Sequence, residues 1–279
     1  MKTGKMGWRK SVEFLIFVVV AVITLLPIVW GIITSFKGSR DLFAYPPKLF
    51  DFKPVLDNYR LVFDGGILQS VLISIFYSVV SILLGLVLGN LCAYGLKRCR
   101  FRGRKFVFYL VIAGIPLSTG SAALLIPNYM YMSALHMVDK WYTLPLMYTA
   151  YNLPMAIWIM LGGLDSIPLE IEEAAAVDGC SRKYIIFRLI PALNKPAMAA
   201  SALFVFIGVW NEFNVASVMI NTSWLRPIQQ SIYYYMGFFG LDWGALTAAA
   251  TIAVVPVLIV FAFLGKFLVS GLTNGAVKG

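Results

Sequence analysis

Apolar residues run in six long blocks, at about 14–36, 67–96, 106–135, 141–164, 196–220 and 243–265, and polar residues gather in the stretches between them. About 20 apolar residues, wound as a helix, cross the ~30 Å hydrocarbon core of a bilayer. Inside lipid every backbone amide needs a partner, and a helix supplies one within a single segment. The pattern therefore predicts an all-α integral membrane protein, with six transmembrane helices in one domain over residues 1–279. Blocks two and three are longer than one straight crossing requires, so tilt or overhang is expected there. Glu212, in the fifth block, is the one acidic residue inside any of them.

Several positions interrupt the pattern. Gly114, Pro116, Gly120 and Pro127 fall within the third block. Proline removes a helix hydrogen bond, and broken backbone at membrane depth is tolerated only against protein or a water-filled cavity. The third helix is thus expected to be broken and to face other helices or a pathway. Pro154 and Pro256 predict milder kinks in the fourth and sixth. At the N-terminus, Lys2, Lys5, Arg9 and Lys10 precede an apolar run of about 23 residues, longer than a signal h-region and without a small-x-small cleavage site. We read it as an uncleaved first helix. The connection 37–66 carries Pro46, Pro47 and Pro54 and closes at Gly65 and Gly66. Within it "VLDNYRLVF" predicts a short amphipathic helix on the membrane surface. It serves either a partner outside or a plain connection anchored by Phe43, Tyr45, Phe50 and Phe52.

Composition agrees: 60% of residues are hydrophobic and 13% charged, with a net charge of +10. Placing the N-terminus in the cytoplasm puts sixteen of the 23 basic residues on the inner side. The positive-inside rule then sets both termini in the cytoplasm, and the basic excess meets anionic lipid rather than nucleic acid. Cys92, Cys99 and Cys180 have no paired spacing, and His136 is the single histidine. A metal site or a histidine-based catalytic group therefore lacks raw material. No nucleophile–base pair and no G-x-x-x-x-G-K-[ST] phosphate loop is found. The chain is expected to be no enzyme and to hold no cofactor of its own.

One segment stands apart from the apolar background, "EEAAAVDGCSRKYIIFRLIP" at 172–191, within a polar loop of about 165–195. Ser166 suits a helix cap and Pro168 a first turn. Glu170, Glu172 and Glu173 lie where the helix dipole favours acids, and Gly179 can end the helix in a left-handed conformation. The prediction is a helix over about 168–178, some 16 Å long, too short to span. Its acidic start disfavours anionic lipid, and Ala174, Ala175 and Ala176 let a surface approach closely, so a docking helix is expected. The alternative is a helix floating among headgroups. A second amphipathic piece, "SRKYIIFRLI", precedes Pro191 and Pro196.

"EEAAAVDG", followed by that aromatic-basic stretch and the prolines, resembles the EAA loop of bacterial ABC-importer permeases. Together with "VWNEFNVA" (209–216) and "GLTNGAVKG" (271–279) it is similar to the carbohydrate, maltose-type branch. Pro191 departs from that pattern, lying one residue early, which bears on how the loop re-enters the membrane. The resemblance implies a type I ABC-importer permease fold in the bacterial cytoplasmic membrane. The chain would form half of a pathway for a sugar or oligosaccharide, paired with a second, different permease chain. Two partner ATPase subunits would bind ATP and Mg, and an extracytoplasmic solute-binding protein would deliver the sugar. It also implies that Glu172 and Glu173 contact the ATPase, with Ala174 and Ala175 as the close-packing face and Asp178 and Gly179 at the turn. Arg182 and Lys183 would meet either the ATPase or lipid phosphate.

Glu212 sits among Trp210, Asn211 and Asn214. An ionisable residue inside a span is functional by default, so this cluster either lines the pathway or braces two helices. "YYYMGFF" (233–239) reads as an aromatic interface belt or a contact for the binding protein. The tail 271–279 either reaches the ATPases or frays. The rival reading of the chain is a self-sufficient secondary transporter or channel. That would call for inverted repeats or coupling-ion sites near the midplane, for which Glu212 alone is thin support, and it leaves the EAA loop without a purpose.

Overall fold

The computed structural model describes residues 3–117, 122–236 and 242–276. Regular structure among them is entirely helical. Gly120, the end of the aromatic belt from residue 237 on, and the last three residues lie outside the described residues.

Helix α1 (Thr3–Ser35) is followed by α2 (Asp57–Asp64), α3 (Ile67–Arg98), α4 (Arg104–Gly114), α5 (Ala122–Ala134) and α6 (Thr143–Asp165). The short α7 (Leu169–Val177) leads through a helical segment over Arg182–Leu193, π-helical at Ile185–Leu189, to α8 (Lys195–Trp210), α9 (Asn214–Met219), α10 (Ile228–Tyr234) and α11 (Trp243–Ala276). Among the described residues four stretches are long and apolar enough to cross a membrane: Lys10–Ser35, Ile67–Arg98, Thr143–Asp165 and Trp243–Gly265. They match the first, second, fourth and sixth predicted spans.

The remaining two blocks differ from a simple crossing. The third is broken as expected: α4 ends at Gly114, a 3-10 turn covers Ile115–Leu117, and α5 starts at Ala122. Pro127 lies inside α5 without ending it, and Pro154 and Pro256 lie inside α6 and α11. The fifth block is not one helix over 196–220. Helix α8 has 16 residues, about 24 Å, and stops at Trp210. Asn211–Phe213 break the chain before α9. Glu212 causes this restart, as shown below. The tail is helical as far as Ala276.

The chain forms two compact units. The first comprises Met1–Ile67 and Ile232–Val255. Within it Asn58 of α2 donates from Nδ2 to the carbonyls of Ser35 and Lys37 at 2.8 and 2.9 Å, satisfying the end of α1. Ser35 and Tyr59 share a hydrogen bond of 2.8 Å. The predicted amphipathic segment is thus a helix whose polar residues cap α1 while Val62 is buried. Phe43, Tyr45 and Phe50 are exposed, whereas Phe52 lies under the Lys37 ammonium, 5.5 Å from the ring centre. Along α1 large apolar residues such as Phe14, Leu15 and Phe17 are exposed, the all-round apolar surface of a helix that meets lipid.

The second unit comprises Leu68–Ser231 and Pro256–Gly279. Helices α3, α6 and α8 build its two apolar clusters. One gathers Tyr77, Leu144, Tyr148, Val205 and Val209, and the other Ala93, Leu96, Met160, Leu164, Ile185 and Ile190. The second cluster matters for function because it lies beneath the charged loop.

Candidate functional site

Helix α7 is the predicted docking helix, one residue shorter at each end than expected. Its N-cap is Pro168, which gives no side-chain bond, and Ser166 instead turns back to the Gly163 carbonyl at 2.7 Å. Ser166 therefore closes α6 rather than opening α7. At the other end Gly179 takes φ +85°, a left-handed conformation that glycine adopts without strain. The Asp178 and Gly179 amides bond to Ala174 and Ala176, and the Cys180 amide to Ala175. These bonds satisfy the last carbonyls of the helix.

The helix presents two faces. Glu170, Glu173, Ala174, Ala176, Val177 and Asp178 are exposed. Val177 is 88% exposed, an apolar side chain offered outward that the sequence reading passed over. Glu172 and Ala175, three residues apart and so on one face, turn toward the chain's own core. Glu172 is 5% exposed, and Ala175 packs on the second apolar cluster. Glu172, expected at the ATPase surface, is therefore occupied internally. Ala175, expected with Ala174 in the close-packing face, packs against the chain's own apolar cluster.

Helix α3 supplies what holds Glu172. Arg98 Nε donates to Glu172 Oε1 at 2.7 Å and Tyr94 Oη donates to Oε2 at 3.0 Å. Arg98 Nη2 also donates to the Ile167 carbonyl at 2.7 Å. One turn earlier Asn90 Nδ2 donates to the Ile186 carbonyl at 2.9 Å. Lys97 pairs with Asp165. On the far side of the loop Asn194 donates to the Met160 carbonyl at 3.2 Å. Gly163 leaves the room this needs, because a side chain there would overlap Asn194 and Ala197. Arg182 points its guanidinium at Cys99 Sγ, 3.7 Å away, and is exposed, as is Lys183. None of Asn90, Tyr94 or Arg98 was singled out from the sequence. The available signal was three polar residues at four-residue intervals near the end of an apolar block.

The second candidate cluster is resolved into separate roles. Glu212 Oε1 accepts from the Val215 amide at 2.7 Å, and Oε2 accepts from the Ala216 amide at 3.2 Å and from Tyr148 Oη at 3.0 Å. A carboxylate on the free amides of a first helical turn is favoured by geometry and dipole together. Glu212 thus starts α9 and ties it to α6. Trp210 is buried and stacks on Phe206, with ring centres 5.3 Å apart. Asn211 and Asn214 are exposed, and Asn211 Nδ2 bonds back to the Ile207 carbonyl. The four residues do not converge on one point.

A third polar site joins the α5–α6 connection to the segment after α9. Asp139, at φ +61°, accepts on Oδ1 from the Asn221 and Thr222 amides, both at 3.0 Å, and on Oδ2 from Thr222 Oγ1 at 2.6 Å. His136 is exposed. Among the described residues no group of His, Cys, Asp and Glu could hold a metal ion, and Cys92, Cys99 and Cys180 are free.

An all-helical chain with several spans long and apolar enough to cross a membrane, and a short charged helix fastened beside two of them, has the make-up of an integral membrane component. Residues 3–274 match the family of binding-protein-dependent transport system inner membrane components, and the chain belongs to that family. It is 32% identical over 273 residues to the sulfoquinovosyl glycerol transport system permease protein SmoH of Agrobacterium fabrum, covering 97% of this chain and 94% of that one. Identity to the trehalose/maltose transport system permease protein MalG of Thermococcus litoralis is 30% over 272 residues, covering 94% of each. Among solved structures, a bacterial ABC transporter involved in alginate import has a chain that superposes with a TM-score of 0.76 at 21% identity, over 96% of this chain and 99% of that one. That likeness speaks to the fold.

Proposed function

We propose that this chain is a permease subunit of an ATP-driven, binding-protein-dependent importer of a sugar or oligosaccharide. It forms half of the translocation pathway in a bacterial inner membrane, as one transmembrane permease domain of six crossings with both termini in the cytoplasm. The broken third and fifth blocks supply the two crossings beyond the four continuous helices. A different permease chain completes the pathway. Two ATPase subunits bind ATP and Mg, and an extracytoplasmic protein presents the sugar. The chain itself catalyses nothing.

The observation that carries this reading is the division of α7 into two faces. Its inner face is fastened to the permease through Glu172 and Ala175, while Glu173, Ala174, Val177 and Asp178 stand free beside the Gly179 turn. A helix held from behind and bare in front is suited to be gripped by a second protein. ATP acts on the pathway only through contacts that differ between two states, and the free face is where such contacts form. Sugar as the cargo is supported by the relatives named above. Asn211 and Asn214, exposed at the break between α8 and α9, are the amides of that cluster available to hydroxyl groups; Glu212 serves as cap and brace.

Co-purification from membranes containing the neighbouring ATPase tests the reading. Wild type brings the ATPase down, and Glu173→Lys loses it. If wild type carries solute in vesicles with no ATPase present, the importer reading fails.

A further inference from the structure

Asn90, Tyr94 and Arg98 are spaced four residues apart and so lie along one face of α3. All three are spent on the loop that carries α7. Asn90 holds the Ile186 carbonyl, Tyr94 holds one oxygen of Glu172, and Arg98 holds the other together with the Ile167 carbonyl. These attachments flank the docking helix on both sides in sequence and also grip it from within. Asn90, Tyr94 and Glu172 are buried, and the Arg98 side chain is 12% exposed. Long polar side chains in such a place need every partner they have. The Glu172 carboxylate has two donors and is 5% exposed, so losing either donor leaves a buried charge short of a partner.

We propose that this polar ladder makes α3 and α7 a single lever, so that Asn90, Tyr94 and Arg98 are positioning residues for coupling. The inference rests on the importer reading and adds to it the route by which displacement of α7 enters the membrane: along α3, rather than only through the chain connections to α6 and α8. Simple chain continuity would instead let α7 pivot on Pro168 and Gly179, leaving α3 behind. The ladder removes that freedom. Arg98 at the end of α3 is positioned to do so because its planar guanidinium donates to two separate acceptors, Glu172 and the Ile167 carbonyl, and so fixes direction as well as distance.

The test uses the full complex with its ATPase, in a background with Cys92, Cys99 and Cys180 replaced by Ser. Spin labels are placed at Ile171 on α7, off the docking face, and at Leu83 on α3, both exposed. In wild type we expect one narrow Leu83–Ile171 distance, unchanged on adding ATP, because the two helices move together. Arg98→Ala is expected to lose that single distance when ATP is added, while the ATPase stays bound through the untouched outer face. Exchange of the pair, Arg98→Glu with Glu172→Arg, restores it in part, since the ion pair returns but the bond to the Ile167 carbonyl does not. Tyr94→Phe, which keeps the ring and removes one hydrogen bond, gives a partial loss and serves if Arg98→Ala fails to fold. A wild-type distance that changes with ATP overturns the lever, as does an Arg98→Ala complex indistinguishable from wild type. If wild type binds no ATPase at all, it is the importer reading that falls; the distance without ATP still reports whether the ladder holds α7 to α3.

Discussion

Glu172 and Glu173 are neighbours in the chain and face different surroundings: one is 5% exposed and bonded to Arg98, and the other is exposed on the free face of α7. A helix turns 100° per residue, so adjacent acids with identical chemistry are given different tasks by direction alone. Charge reversal should separate them. Glu172→Lys sets a second cation against Arg98 in a buried site, and breaking a buried pair costs about 3–5 kcal/mol. Glu173→Lys should shift stability by no more than about 0.5 kcal/mol, as surface changes do. Thermal unfolding of the two purified variants checks both shifts, and loss of the ATPase by Glu173→Lys without loss of stability marks the free face. Equal loss of stability in both variants would contradict the two-faced helix.

Glu212 gives a different contrast. Its carboxylate satisfies two amides of α9 and the Tyr148 hydroxyl. Hydrogen bonds to a charged group contribute about 1.5–3 kcal/mol. Glu212→Ala should therefore lose stability in that range, while Glu212→Gln, which keeps an acceptor oxygen, loses less. ATP-driven uptake by Glu212→Gln should persist. Abolished uptake with unchanged stability would move Glu212 from brace to coupling site and revive the secondary-transporter reading.

Asp139 provides a pH-dependent signature. Burial acts to raise its pKa, but the Thr222 hydroxyl and the amides of Thr222 and Asn221 outweigh that, and the net direction is down from the ordinary carboxylate value. A group with a depressed folded pKa adds stability above its unfolded value, near 3.9, and loses it as pH falls through the folded value. Asp139→Asn should accordingly be less stable than wild type at neutral pH, by about 1 kcal/mol. The two should converge in acid below the folded value. Unfolding midpoints across that range test it, and a constant gap at all pH values would refute the role given to the carboxylate.

What was legible in the sequence followed from strong, local signals. Continuous apolar length located α1, α3, α6 and α11, and Gly179 marked its turn because only backbone geometry is involved. Pro116 with Gly114 foretold the break after α4. The break after Trp210 was hidden by apolar neighbours on both sides, since Glu212 ends one helix by capping the next through bonds that depend on where Tyr148 stands. The resemblance implies an ATPase contact for Glu172 as for Glu173. The inward direction of Glu172 depends on Tyr94 and Arg98, more than 70 residues earlier. Single-chain patterns carry period and caps, not the partner across the core.

Gly179 offers a graded test of how the docking helix ends. At φ +85° a β-branched side chain is strained, alanine less so, and asparagine tolerates the left-handed region best after glycine. No neighbouring atom lies within 4 Å of an added Cβ, so crowding does not confuse the comparison. Destabilisation should therefore rank Gly179→Asn, then Gly179→Ala at about 1 kcal/mol, then Gly179→Val. The end of α7 carries Asp178 on the free face, so retained ATPase should fall in the same order. Thermal midpoints and ATPase recovery measured on one set of preparations decide it. If Gly179→Val matched Gly179→Asn in both, the positive φ would not be what shapes the docking face. If stability followed the ranking while ATPase recovery stayed flat, the turn would serve the fold of α7 and not its partner.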